Sequence, residues 1–370
     1  MALQRAKVAH ILKGAIHALV HDVSSDTVCA VEIWNRIACD AFFKQRVTLS
    51  QRGLPEWKEV CNTVYPIVQM EKPYQIVGVD GSQIYPDKHQ GTSCFLINIG
   101  FIELSYGLDQ AVFFDSIPYL FTHAYDCEEQ GISGIDRVNG KREAFELQMG
   151  YDRLNQLVIK KKDVISACMF DGSFVFWHLS GKDAAFKDYF LKQYCDALDR
   201  YAQDAHIVFG YMSYPRNREL VHVVQLYAQL YPSYKGVSFD HIVDTTFLAS
   251  FLQEGQRTIV FYNQSPVVFE YPVHVRPCFV YAHMGSEIVR IEFPAYVVDS
   301  GQVDLLCSLA YDQAQKGLGY PVCLAEAHEQ AVVTASDREF FYQMIYKISV
   351  ESNKHVSMSQ KLQKKRTLAV

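Results

Sequence analysis

Two short motifs carry the residues best suited to chemistry: VGVDGS at positions 77–82 and MFDGSF at 169–174, each an apolar, strand-forming run that reaches an aspartate followed by glycine and serine. The pattern predicts Asp80 and Asp171 at the C-terminal ends of two strands, with a glycine letting the chain turn sharply beside each carboxylate. One strand-end Asp-Gly is an ordinary turn signal. Two identical triplets on two buried-type strands point further. If the strands are neighbours in a sheet, both carboxylates converge at one edge and make a hard, oxygen-rich site for Mn²⁺ or Mg²⁺. Such a cluster suits phosphodiester hydrolysis, in which two ions about 3.5–4 Å apart activate a water and stabilise the leaving oxygen.

A third carboxylate is offered by the helical run KREAFELQMGYDRL at 141–154, where Arg142 and Glu146 stand four apart on one face. Glu146 is the first choice, with Glu143 close behind, and a plain surface ion pair is the competing reading. LAEAHEQAVV at 324–333 sets His328 in a partly apolar helix between Glu326 and Glu329, where it either binds a metal, carries a proton or is simply satisfied by a neighbour. GYMSYPRNREL at 210–220 ends a strand and brings Arg216 and Arg218 to a helix start, a combination suited to phosphate. His10, His17 and His21 share a helix face with no acidic partner and read as surface residues.

The elements that must position these groups follow from periodicity. Residues 4–70 read as helical, with breaks near Ser24-Ser25-Asp26 and at Arg52-Gly53-Leu54-Pro55. From Lys72-Pro73 onward three β-rich runs follow, then a helix over about 136–160, the strand DVISACMFD, a helix over 184–201, a strand over 206–213 and a helix over 217–230. The core order is therefore βββαβαβ, an α/β mixed sheet flanked by helices. Further strands are expected at 258–262, 273–283 and 287–293, and helices at 303–316, 324–333 and 337–351.

A net charge of −6 argues against a protein whose whole surface grips nucleic acid, so any such binding must be local. Two basic runs qualify: Lys160-Lys161-Lys162, and a tail holding Lys361, Lys364, Lys365 and Arg366. The basic, apolar start is interrupted by histidines and reads as an amphipathic helix, not a signal. No stretch is long and apolar enough to span a membrane. The ten cysteines are nowhere closer than ten residues, which excludes a C-x-x-C motif and suits reduced core residues in the cytoplasm.

Taken in order, VDGS, R-x-x-x-E, FDGS, GY-x-S-x-PR and AHE-x-AVV resemble the NurA nucleases, and the likeness runs from about Lys72 to Arg366, through DTTFLASFLQEGQRTIVF and VRIEFPAYVVD. The resemblance implies an RNase H-like, Mn²⁺-dependent homodimeric nuclease that degrades DNA 5′ to 3′, cuts single strands and works with a hexameric HerA-type translocase. It carries over Asp80, Asp171, a helix glutamate matched by Glu146 and the late histidine matched by His328; Arg142 and Arg216 match basic positions, and the segment with Lys361 and Lys364 matches a basic closing segment. The expected organisation is a helical extension over 1–70, a nuclease domain over 71–350 and a basic tail over 351–370. Two rivals stand beside it: a non-catalytic adaptor of a translocase ring, and an actin- or sugar-kinase-like ATPase, whose core shares the βββαβαβ order.

Overall fold

The computed structural model describes residues 4–19, 22–49, 53–90, 94–107, 111–122, 134–160, 164–234 and 236–352. Three helices lead: α1 (Arg5–Leu19), α2 (Ser24–Ala38) and α3 (Ala41–Leu49). The helical pattern expected through residue 70 stops there. Gly53, at φ +66°, and Pro55 are poor helix residues, and the chain goes on to two short strands, β1 (Glu56–Trp57) and β2 (Val64–Pro66). Next come β3 (Tyr74–Ile84), β4 (Phe95–Tyr106), β5 (Val112–Phe121), α4 (Gly134–Lys160), β6 (Ile165–Asp171), α5 (Ala184–Gln203), β7 (Ile207–Met212) and α6 (Glu219–Leu230), which is the βββαβαβ order read from the sequence. The remainder comprises α7 (Asp244–Leu248), β8 (Gln256–Thr258), β9 (Phe261–Tyr262), β10 (Pro277–His283), β11 (Ile288–Pro294), α8 (Ala295–Asp299), α9 (Val303–Lys316), α10 (Val322–Ala331) and α11 (Ala335–Glu351). The strand expected over 273–283 begins only at Pro277, because residues 273–275 form a 3₁₀ turn.

The described strands form one mixed sheet in the order β1-β9-β10-β11-β7-β6-β3-β4-β5, with β2 and β8 joined to β10 at its side. β3, β6 and β7 run parallel, while β4 and β5 extend the sheet as an antiparallel meander. This five-strand arrangement, with α4 and α5 as crossovers, is the RNase H-like core. β11 returns antiparallel to β7 and carries the sheet onward through β10.

Side-chain alternation along β3 and β6 builds two separate cores. Val77, Val79, Cys168 and Phe170 face Leu147 and Leu154 of α4 and Leu198 and Tyr201 of α5. Ile76, Ala167 and Met169 face Leu306 and Leu309 of α9 and Cys323, Leu324 and Ala327 of α10. A third core joins the start of the chain to the domain: Ile33 and Trp34 of α2 and Phe43 of α3 pack with Val224, Phe247, Phe261 and Phe279.

Candidate active site

β6 stops at Asp171, but its neighbour β3 runs on to Ile84, and the register pairs the two only from Tyr74↔Ile165 to Val79↔Phe170. Beyond that point the β6-facing edge of β3 has no strand beside it among the described residues. The notch so formed is a cleft of about 270 Å³ lined by Asp80, Arg142, Glu143, Glu146, Asp171, Ser173, Trp177 and His178. Asp80 and Asp171 stand one residue past the last paired positions of adjacent parallel strands, so both emerge together on the α10 side. The sheet edge predicted for the two aspartates exists.

The first triplet does not turn. β3 passes straight through Asp80-Gly81-Ser82, which corrects the expectation of a sharp bend and a strand end at Asp80. Gly81 serves close approach instead: a Cβ there would collide with Oε1 of Glu146 and with the Arg142 side chain, so glycine leaves these two side chains of α4 their room over the notch. The second triplet does turn, with Gly172 at φ +120°, a conformation that side chains rarely adopt. The two serines also differ. Ser82 Oγ donates to the carbonyl of Ala331 at the end of α10, whereas Ser173 Oγ donates to Oε2 of Glu292 at 2.6 Å.

α10 lies directly on the sheet because Gly78 of β3 and Gly100 of β4 present no side chain to it; a Cβ at either would run into its backbone. Asn98 Nδ2 of β4 donates to the Ala331 carbonyl at 2.9 Å and helps hold the helix end. His328, 61% exposed, is thereby set with Nδ1 2.7 Å from Oδ2 of Asp80, and the carboxylate holds the ring's orientation.

The electrostatics are those of crowded acids with too little positive charge. Burial pushes Glu146 up to about 8, against the relief offered by Arg142 and with Asp80, Glu143 and Asp171 adding to the rise. Its Oε1 is buried without a hydrogen-bond partner: Arg142 Nε stands 3.6 Å away, beyond bonding range, while Arg142 Nη1 donates instead to the Gly81 carbonyl at 3.0 Å. Burial likewise lifts Glu143 to about 7, with Arg142 and Tyr194 opposing. Asp171 lies at the rim, and desolvation by the protein packed around its carboxyl raises its pKa; the Tyr320 hydroxyl and His328 oppose this and Asp80 reinforces it. Glu143 is also 3.4 Å from Nδ1 of His178, whose own pKa burial lowers.

A hard divalent cation fits this donor set, since four carboxylates, those of Asp80, Glu143, Glu146 and Asp171, line one cleft and Oε1 of Glu146 is buried there without a partner. Among the described residues, however, no three His, Cys, Asp or Glu side chains close on a single ligand sphere; the acids flank the cleft instead. Of the other predicted groups, Arg142 lines the cleft, while Arg216 is exposed in the loop after β7, on the same edge of the sheet as Asp171. Arg218 is occupied structurally, donating to the carbonyls of Phe239 and Ile242. Lys361 and Lys364 lie outside the described residues, as does most of the 160–162 run.

Sequence reasoning missed Glu292. It is 1% exposed on β11, accepts from Ser173 Oγ and from the Phe174 amide at 2.9 Å, and takes Arg290 Nε at 2.7 Å. Arg290 continues to Glu219 at 3.1 Å. The signal was an arginine and a glutamate two apart in the apolar run VRIEF, hence on one face of a buried strand. Trp177 and His178, six and seven residues beyond Asp171, had no motif to mark them.

Fold and cleft together define a mixed α/β protein with an acidic cleft at the edge of its sheet. The sequence matches the NurA domain over residues 74–333, and the chain belongs to that family. Among solved structures it is similar to one titled "Crystal structure of NurA", at 11% identity and TM-score 0.46, covering 88% of this chain and 97% of that one. It is also similar to the catalytic domain of human endonuclease V, at 13% identity and TM-score 0.35, covering 85% and 96% of the two chains. No curated protein matches. Family membership leaves the kinase-like alternative without support, and no described helix is long and apolar enough to cross a membrane.

Proposed function

We propose that this chain is a divalent-metal-dependent DNA nuclease in which Asp80, Asp171 and Glu146 hold the ions, Mn²⁺ or Mg²⁺ and two in number. The observation that carries the reading is Glu146: a glutamate lifted to about 8 by burial and by neighbouring acids, with an unbonded oxygen in the cleft, is a group waiting for positive charge. When bound, two such ions would supply an activated water and charge neutralisation at the leaving oxygen.

The remaining work belongs to the chain. Asp80 fixes the His328 ring through Nδ1, which leaves Nε2 free to exchange a proton, or to join the ligand set. Arg142 sits between Glu143 and Glu146 and limits how far their mutual repulsion opens the cleft. Arg216, beyond the end of β7, steadies the DNA backbone, joined by Lys361 and Lys364 of the tail. Family resemblance further supports 5′ to 3′ exonuclease and single-strand endonuclease activity in DNA end processing, a homodimer, and a HerA-type hexameric translocase as partner. The organisation goes with this: the nuclease domain over 71–350, the preceding 1–70 extension and the basic tail over 351–370, in the cytoplasm.

The test is cleavage of end-labelled single- and double-stranded DNA with Mn²⁺, Mg²⁺ or EDTA. Metal-dependent products from the native chain, absent with Asp80→Asn and Asp171→Asn, support the reading. Full activity in either variant would sink it.

A further inference from the structure

Trp177 stands out among the residues of the cleft. The chain has three tryptophans; Trp34 and Trp57 are buried at 1% and 5% exposure, whereas Trp177 is 45% exposed and lines the same cleft as Asp80, Glu146 and Asp171. Its backbone is held firmly. Trp177 begins a 3₁₀ turn (Trp177–Leu179), its neighbour Phe176 is buried against Tyr194 and Tyr271, and the Phe176 amide donates to the Tyr271 hydroxyl at 3.1 Å. A rigid turn that offers a large indole to solvent is costly in apolar exposure and contributes nothing to the cores described above.

Resting on the nuclease reading, we propose that Trp177 is a stacking platform for one unpaired nucleobase, placed to present the adjoining phosphodiester to the carboxylates. Stacking accepts any base, because every base has a π-face, and so fits an enzyme that reads no sequence. It requires that the base be free of a duplex. Trp177 thereby selects unpaired DNA: a frayed end, an overhang or a single strand.

The burial of the other two tryptophans makes the test direct, since Trp177 alone is accessible to a stacking base. An oligodeoxythymidine is titrated into the full chain in EDTA, with intrinsic fluorescence reporting the indole and anisotropy of a labelled oligomer reporting binding. The expected result is saturable quenching that is absent in Trp177→Leu, an affinity about tenfold weaker in that variant, recovery of most of the affinity in Trp177→Phe, and no quenching by a duplex closed by hairpins at both ends. Binding without quenching, or equal quenching by the closed duplex, overturns the stacking role and leaves the nuclease reading intact. Quenching by a chain that cleaves nothing with any metal keeps the base site and removes the nuclease. Absence of all binding removes the base site.

Discussion

Nδ1 of His328 and Oδ2 of Asp80 meet at 2.7 Å across 248 residues of sequence, joining α10 to the middle of β3. His328 is largely exposed and contributes little to the core, so His328→Ala should leave thermal stability nearly unchanged while lowering kcat about 10²–10⁴-fold, the range for removal of a positioned proton carrier. Loss of activity matched by a large fall in Tm would show that the histidine merely anchors the helix.

Divalent ions should stabilise the native fold through the same carboxylates. At a concentration about 100 times the dissociation constant, linkage gives roughly 2.7 kcal/mol. A Tm rise with Mn²⁺ in the native chain and none in Asp171→Asn is the expected outcome by calorimetry. Equal rises in both would place the ions elsewhere.

Glu146 sets a pH dependence whose sign is fixed by its raised pKa. Unfolded, it loses its proton near the ordinary 4.5; folded, near 8. Between those values the folded state binds more protons than the unfolded one, so metal-free stability falls as pH rises through this window. Glu146→Gln removes the penalty and should make the metal-free protein more stable than native at pH 8, by about 1–3 kcal/mol, with little difference at pH 4.5. The same variant should be inactive, and Glu143→Gln should retain activity if Glu146 is the ligand; urea titrations at the two pH values and one cleavage assay decide both points.

Glu292 holds the Asp171 loop from below through Ser173 and Phe174 while paired with buried Arg290. Glu292→Ala leaves buried Arg290 with Glu219 but without the carboxylate at its Nε, and frees the loop. The expected cost is about 3–5 kcal/mol in urea denaturation, with cleavage reduced even where the protein remains folded. A cost under about 1 kcal/mol would show the network to be dispensable.

Gly81→Ala tests the room that glycine leaves for the Glu146 and Arg142 side chains. The added methyl meets Glu146 and Arg142, and overpacking of this kind costs about 1–3 kcal/mol. Activity should fall further than that loss explains, because the displaced group is the proposed ligand; wild-type kcat in a folded Gly81→Ala protein would refute the close-approach argument.

The core order and the convergence of Asp80 with Asp171 were legible in the sequence because alternation and strand-end glycines are local signals. The identical triplets hid a difference that only topology reveals. β3 is central and keeps β4 beside it as far as Ile84, so Asp-Gly-Ser there continues the strand, while β6 ends at the same letters and turns. The choice between Glu143 and Glu146 could not be read from spacing, since both sit on the cleft side of α4 and the structure itself brings both to its wall. Glu292 was hidden for another reason: its partners Ser173 and Phe174 are 119 and 118 residues away, and no local pattern encodes such a contact. Two short strands replaced the expected helix after residue 49 because their pairing with β8 and β9, far along the chain, outweighs a weak local period.

The glycine-seated docking of α10 has a consequence in time. Asp80, Glu146 and Asp171 leave the ribosome well before His328, and the helix carrying that histidine is pinned by Ser82 and Asn98 only after the last part of the NurA domain has been made. Contacts so distant in sequence form late. A chain cut before α10 therefore lacks both this histidine and the helix that covers Ile76, Ala167 and Met169, so the proposed site is assembled only as synthesis of the domain is completed.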